Sequence, residues 1–117
     1  MAYMLLVVEK VGDRAARSPS EGGALYDRML RFSSDLTRRG LLTLGQSLKT
    51  DADGVRVHMQ GEKSIVRDGP FAEAKEMIGG FFLLTCDTRE QAIAIAHECP
   101  AAQWATIEVR ELGPCFQ

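Results

Sequence analysis

Apolar residues occupy every position from Tyr3 to Val8, and a short valine-containing run of this kind fits a strand buried on both faces. Ser18-Pro19-Ser20-Glu21 then supplies an N-cap serine, a proline at the first helical position and a glutamate at the third, the elements of a capping box. Leu25, Met29, Phe32 and Leu36 recur at helical spacing, with Arg28, Arg31, Asp35 and Arg38 off that stripe. Gly40 supplies a stop, so the pattern predicts a helix over about 19–39. Gly22 and Gly23 weaken its first turns by about 1 kcal/mol each relative to alanine.

Leu41 to Leu48 carries Leu42, Leu44 and Leu48 on one parity and Thr43 and Ser47 on the other, as expected of an edge strand. After the Asp51-Ala52-Asp53-Gly54 turn, Val55, Val57 and Met59 alternate with polar residues. Gly61-Glu62 separates them from Ser64-Ile65-Val66, giving a hairpin inserted in the sheet. Gly80 to Cys86 is again apolar on both parities. Asp87-Thr88-Arg89-Glu90 starts a second capped helix, with Ala92, Ile95, Ala96 and Cys99 inward and Pro100 as its end. A last strand places Ala105, Ile107 and Val109 inward.

Without the hairpin the order is strand, helix, strand, strand, helix, strand, the split βαβ pattern of an α+β, ferredoxin-like antiparallel sheet. Right-handed crossovers put the first and third main strands in the middle, and these are the two doubly apolar runs. Two helices cover one face of such a sheet. The apolar second face, to which Tyr3, Met4, Leu5, Phe81, Phe82 and Leu83 contribute, then needs a partner, and a second copy of the chain is the simplest cover.

The 117 residues suffice for one domain, 1–117, and the 45% apolar and 26% charged content is that of a folded chain. Fourteen basic against sixteen acidic residues, a net charge of −2, argue against nucleic acid as a partner. Cys86, Cys99 and Cys115 are odd in number and lack Cys-x-x-Cys spacing, which predicts reduced thiols, no metal site and a cytoplasmic protein. The first two sit at apolar positions and read as inert packing, the third as an exposed thiol. The six-residue apolar start is neither a leader nor a membrane span.

The most specific stretch is Asp68-Gly-Pro-Phe-Ala-Glu-Ala-Lys-Glu-Met-Ile-Gly-Gly-Phe-Phe-Leu-Leu84. It combines a Gly69-Pro70 turn, an aromatic at Phe71, a charged run from Glu73 to Glu76 and a Gly79-Gly80 pair opening an apolar strand. It resembles the signature of the DGPF branch of the YCII-related proteins. The likeness extends through Tyr3-Met4-Leu5-Leu6 and Ile107-Glu108-Val109-Arg110 to nearly the whole chain. The resemblance implies a dimeric α/β barrel. Members of the branch are often encoded beside extracytoplasmic-function sigma factors, an association that implies a regulatory protein with a protein partner. The wider group resembles enzymes with a histidine and aspartate pair, but here the first helix has no histidine and Cys99 stands before Pro100 in place of the aspartate. The catalytic dyad is therefore not expected, and His58 and His97 read as surface residues.

Two readings of the signature loop stand side by side. In one, Asp68 accepts backbone N–H groups of its own turn, Gly69 and Pro70 shape it and Phe71 plugs the core. In the other, Asp68, Phe71, Glu73, Lys75 and Glu76 form a polar ligand site at the mouth of the barrel, lined further by Tyr3, Tyr26 and Trp104. Paired carboxylates beside a lysine could bind a ligand or serve as acid and base. No phosphate loop, nucleophile elbow or cofactor motif accompanies them, so the expected function is small-molecule binding by a dimer, in a degenerate or unassigned enzyme, with regulation through a protein partner as the alternative.

Overall fold

A computed structural model describes residues 2–116. Strand β1 (Ala2–Lys10) is followed by helix α1 (Pro19–Arg38) and strand β2 (Leu42–Ser47). Strands β3 (Val55–Gln60) and β4 (Lys63–Asp68) come next, then β5 (Glu76–Thr85), helix α2 (Arg89–Glu98) and β6 (Thr106–Glu111). The main sheet is antiparallel with order β2-β5-β1-β6, so the two strands apolar on both parities are central, as the pattern predicts.

The capping box at the start of α1 forms in full. Ser18 Oγ accepts the Glu21 N–H at 3.1 Å, and the Glu21 carboxylate accepts the Ser18 N–H at 3.0 Å. Gly40, at φ 73°, turns the chain into β2. The second helix starts one residue later than its box suggests. Thr88 is the cap, receiving the Gln91 N–H at 3.1 Å, while the Gln91 side chain reaches back to the Asp87 N–H at 2.9 Å.

Both helices lie on one face. Tyr3, Leu5, Val7, Phe82 and Leu84 point toward them and pack with Phe32, Leu36, Ala92, Ile95 and Cys99 in the core. Phe32 meets Phe82 edge-on at 5.3 Å between ring centroids. The alternate residues Met4, Leu6, Val8, Phe81 and Leu83 are only partly buried, because no element lies over them. Leu44 and Ile78 extend this open apolar face to its edge at 47% and 41% exposure.

The inserted hairpin departs from expectation. β3 and β4 form a separate two-stranded sheet instead of joining the main one, and every residue in both strands is exposed. The Cα radius of gyration is 16.1 Å, against about 13 Å for a compact chain of this length, and the molecule is a slab of 46 × 41 × 19 Å. A hairpin with six-residue strands is about 20 Å long, so in a slab this thin it extends sideways instead of standing off the sheet.

Candidate functional site

A concave feature lies between α1 and the end of the sheet where β1 and β2 finish and β5 begins. It is a half-open cleft of about 440 Å³. Leu25, Tyr26, Met29, Leu30 and Ser33 of α1 form one wall, Val7 and Phe82 of the sheet the other, and Trp104 closes an end. Arg28 stacks on Trp104 at 5.2 Å and donates to Gln103 at 3.0 Å, holding the indole in place.

Its floor is polar. Glu9 falls on the inward parity of β1, after Tyr3, Leu5 and Val7, and its side chain is only 10% exposed. A carboxylate there requires a cation and full hydrogen bonding. Gly12, at φ 98°, turns the chain so that Arg14 returns beneath the strand. Arg14 binds Glu9 through Nε and Nη2 at 2.7 and 3.0 Å, the bidentate geometry that favours arginine over lysine. Its remaining donors reach the carbonyls of Leu48 at 2.7 Å and Gly79 at 3.2 Å, so one guanidinium joins the ends of β1, β2 and β5.

The Gly79-Gly80 pair explains why this is possible. Val7 pairs with Gly80 and Val8 with Ile78, so Gly79 is the extra residue of a β-bulge. The bulge turns its carbonyl toward the Leu48 N–H, at 2.9 Å, and toward Arg14. A Cβ at Gly79 would come within 1.8 Å of the Glu9 carboxylate and 2.7 Å of Arg14 Nη2. A Cβ at Gly80 would press on the Gln46 carbonyl at 3.0 Å. The glycines of the signature make room for the buried ion pair and for the close approach of β2.

The loop half of the signature is elsewhere. Phe71 is buried beneath the hairpin, with Arg56 of β3 stacked at 3.8 Å and Arg67 of β4 at 5.2 Å. Glu73 receives Arg56 at 3.2 Å and also pairs with Arg67. A backbone N–H first, and then these guanidiniums, hold its carboxyl below the usual range. Asp68 is exposed and does not cap the turn. Asp51, in a short 3-10 turn, accepts the Phe71 N–H at 3.2 Å. The Gly69 N–H donates to the Gly54 carbonyl at 2.8 Å, and a Cβ at Gly69 would meet the Asp51 carbonyl at 1.8 Å. The Gly69-Pro70 peptide is cis. Lys75 is exposed, its carbonyl accepting the Val11 N–H at 3.0 Å, and Glu76 begins β5 opposite Lys10, also exposed.

The eight sequence-derived site residues therefore do not converge. Tyr26 and Trp104 share the cleft; Phe71 and Glu73 share the hairpin base; Asp68, Lys75 and Glu76 are solvated. Tyr3 lies at the far end of the sheet, buried, with its hydroxyl 3.3 Å from Glu111. Burial, and then the Glu111 charge, raise the pKa of its hydroxyl. Antiparallel pairing accounts for the separation. Tyr3 is opposite Glu111 at the end of β6, whereas Trp104 precedes β6 and so lies near Val8, five residues or roughly 17 Å along β1. Glu9, Arg14 and Gly79, which build the cleft floor, were absent from the sequence-derived set. Their signal was a charged residue on the buried parity of a strand, followed by a turn and a cation.

Among the described residues, no helix is long and apolar enough to cross a membrane. Over 120 aligned residues the chain is 42% identical to Uncharacterized protein R00369 of Rhizobium meliloti (strain 1021), covering 97% of this chain and 93% of that protein. The model of the YCII-related domain matches residues 1–115, and with this fold and coverage the chain belongs to the YCII-related family.

Proposed function

We propose that the protein binds a small organic molecule in the cleft between α1 and the sheet, and that it does so as a cytoplasmic homodimer of the DGPF branch joined through open sheet faces. The cleft carries the reading: a concavity of about 440 Å³ with an apolar wall and a few fixed polar groups has the size and character of a ligand site. Within it, Glu9 and Arg14 neutralise each other, whereas Arg17 lines the cleft without an ion-pair partner among the described residues. The ligand class that fits is a small anion with an apolar or aromatic body, its charge toward Arg17 and its body between Tyr26, Met29 and Phe82. Both carboxylate oxygens of Glu9 are already bonded to Arg14, which leaves neither facing a substrate alone, so binding is favoured over acid–base catalysis.

Trp104 is the sole tryptophan of the chain and lies on the cleft wall, which makes its emission the natural readout. Benzoate, phenylacetate and octanoate, each beside its uncharged amide, should give saturable changes for the acids. Arg17→Gln should weaken them roughly tenfold and Ser33→Phe, which fills the cleft, should abolish them. No saturable change with any acid or amide up to millimolar concentration would overturn the reading. A second reading, regulation through a protein partner such as an extracytoplasmic-function sigma factor, draws on the exposed apolar hairpin.

A further inference from the structure

The hairpin is anchored on one face only. Arg56 and Arg67 are register partners, and both side chains fold back over Phe71 and Glu73. Alternation then turns Val55, Val57, Met59 and Val66 to the opposite face, away from the body of the molecule. Val57 and Val66 face each other across the strands at 67% and 62% exposure. A flexible loop would carry such residues with little consequence. This arm is instead fixed at its base by the buried Phe71 ring, the Asp51 cap and the close packing of Gly69 on the Asp51 carbonyl. The loop half of the signature thus holds an apolar surface out beside the sheet.

We infer that the arm is an intersubunit clasp, its apolar face lying on the open sheet face of a second copy of this chain. The inference rests on the sheet-face dimer proposed above and assigns the arm to that interface. One chain carries two uncovered apolar surfaces, and a two-fold pairing uses each of them twice and closes without leaving either free. Val55, Val57, Met59 and Val66 of the arm are each more than half exposed, and Leu44 and Ile78 of the sheet face more than two-fifths, and apolar exposure on this scale marks an interaction surface.

The test is sedimentation velocity of the full chain between 1 and 100 µM, combined with a photo-crosslinking residue at position 57. Val57→Thr with Val66→Thr keeps β-branched side chains and removes the apolar contact. It should weaken dimerisation at least tenfold while Trp104 emission and secondary structure stay unchanged. Leu44→Glu, on the open face, should do the same. The crosslink from position 57 should map to β1 or β5 of the other copy. A wild-type monomer at 100 µM overturns both the dimer and the clasp. A dimer broken by Leu44→Glu but indifferent to the threonine pair overturns the clasp alone, as does a crosslink that maps to α1, α2 or a foreign protein.

Discussion

The two halves of one continuous motif serve two different places in the molecule. From Asp68 to Glu73 the chain secures the base of a solvent-exposed hairpin; from Gly79 to Leu84 it forms a central strand and the floor of the cleft. The first half is a single layer held by one buried ring, two guanidiniums and a backbone contact. The second is covered by a helix, and its glycines are fixed by what lies against them: a buried carboxylate, an arginine and a neighbouring strand. Contiguity in sequence thus does not make a single site. The motif joins an arm to a pocket, and each half should respond to perturbation in its own way.

The sharpest contrast is expected at Arg14. Arg14→Met leaves Glu9 buried without its cation and should cost about 3 kcal/mol in urea denaturation. Glu9→Gln keeps an acceptor for Arg14, which is partly exposed and retains the Leu48 and Gly79 carbonyls, so about 1 kcal/mol is expected. Equal costs would mean that the pair is solvated and the cleft floor wetter than its geometry implies. Neither substitution should alter exchange of the β3 and β4 amides, because the hairpin packs chiefly on itself.

Gly69→Ala should show the reverse. Its Cβ would strike backbone, the Asp51 carbonyl, which cannot move as a side-chain tip can. The arm should unlatch, with protection of the β3–β4 amides falling by about 2 kcal/mol, while β1 and β5 keep theirs. Gly69→Ala with the arm still protected would show that the Asp51 turn yields, and the close approach would not be what fixes the hairpin.

The main sheet was legible in the sequence because its signals are local: a capping box at Ser18, apolar runs too short for helices, Gly40 after the last turn. Strand order followed from handedness and from the two runs that are apolar on both parities. The cleft was not legible because its floor is assembled from Glu9, Arg14, Leu48 and Gly79, and only the bulge at Gly79, invisible as a pattern, brings the last into register with the others. Asp68 was credited with a cap that Asp51 supplies, since a turn shows which donors need satisfying but not which distant acceptor arrives. The hairpin's alternation gave its strands correctly. Whether a sheet would receive them depends on the lengths of the flanking loops.

Thiol chemistry separates covered from uncovered structure by a smaller effect. Burial raises the pKa of Cys86 and of Cys99, lowering their thiolate content at neutral pH, and both side chains are packed in the core. Cys115 is exposed. A thiol reagent at pH 8 should therefore modify one cysteine quickly and two only on unfolding. Fast modification of Cys99 in the native protein would show that the α2 side of the core opens readily.

The smallest effect is expected at Glu73 and Lys75. Lys75 offers its backbone to Val11 and its side chain to water, so Lys75→Met should move the melting temperature by less than about 2 °C. Glu73 is exposed too, and Glu73→Gln should stay within the same range at neutral pH, because Phe71 remains buried between the two arginines. The difference appears in acid. A carboxyl whose folded pKa lies below its ordinary value of 4.5 adds stability that is complete above that value and disappears as the pH falls through the lower, folded one. The Phe71 ring resonances should therefore be steady from neutral pH down through the ordinary carboxyl value of 4.5 and shift only at lower pH, as Arg56 and Arg67 lose their shared carboxylate. In Glu73→Gln that acid limb should be absent, and added salt should flatten it in the wild type, since the pair is exposed. An acid limb that survives the substitution would show that Glu73 is not the group that carries it.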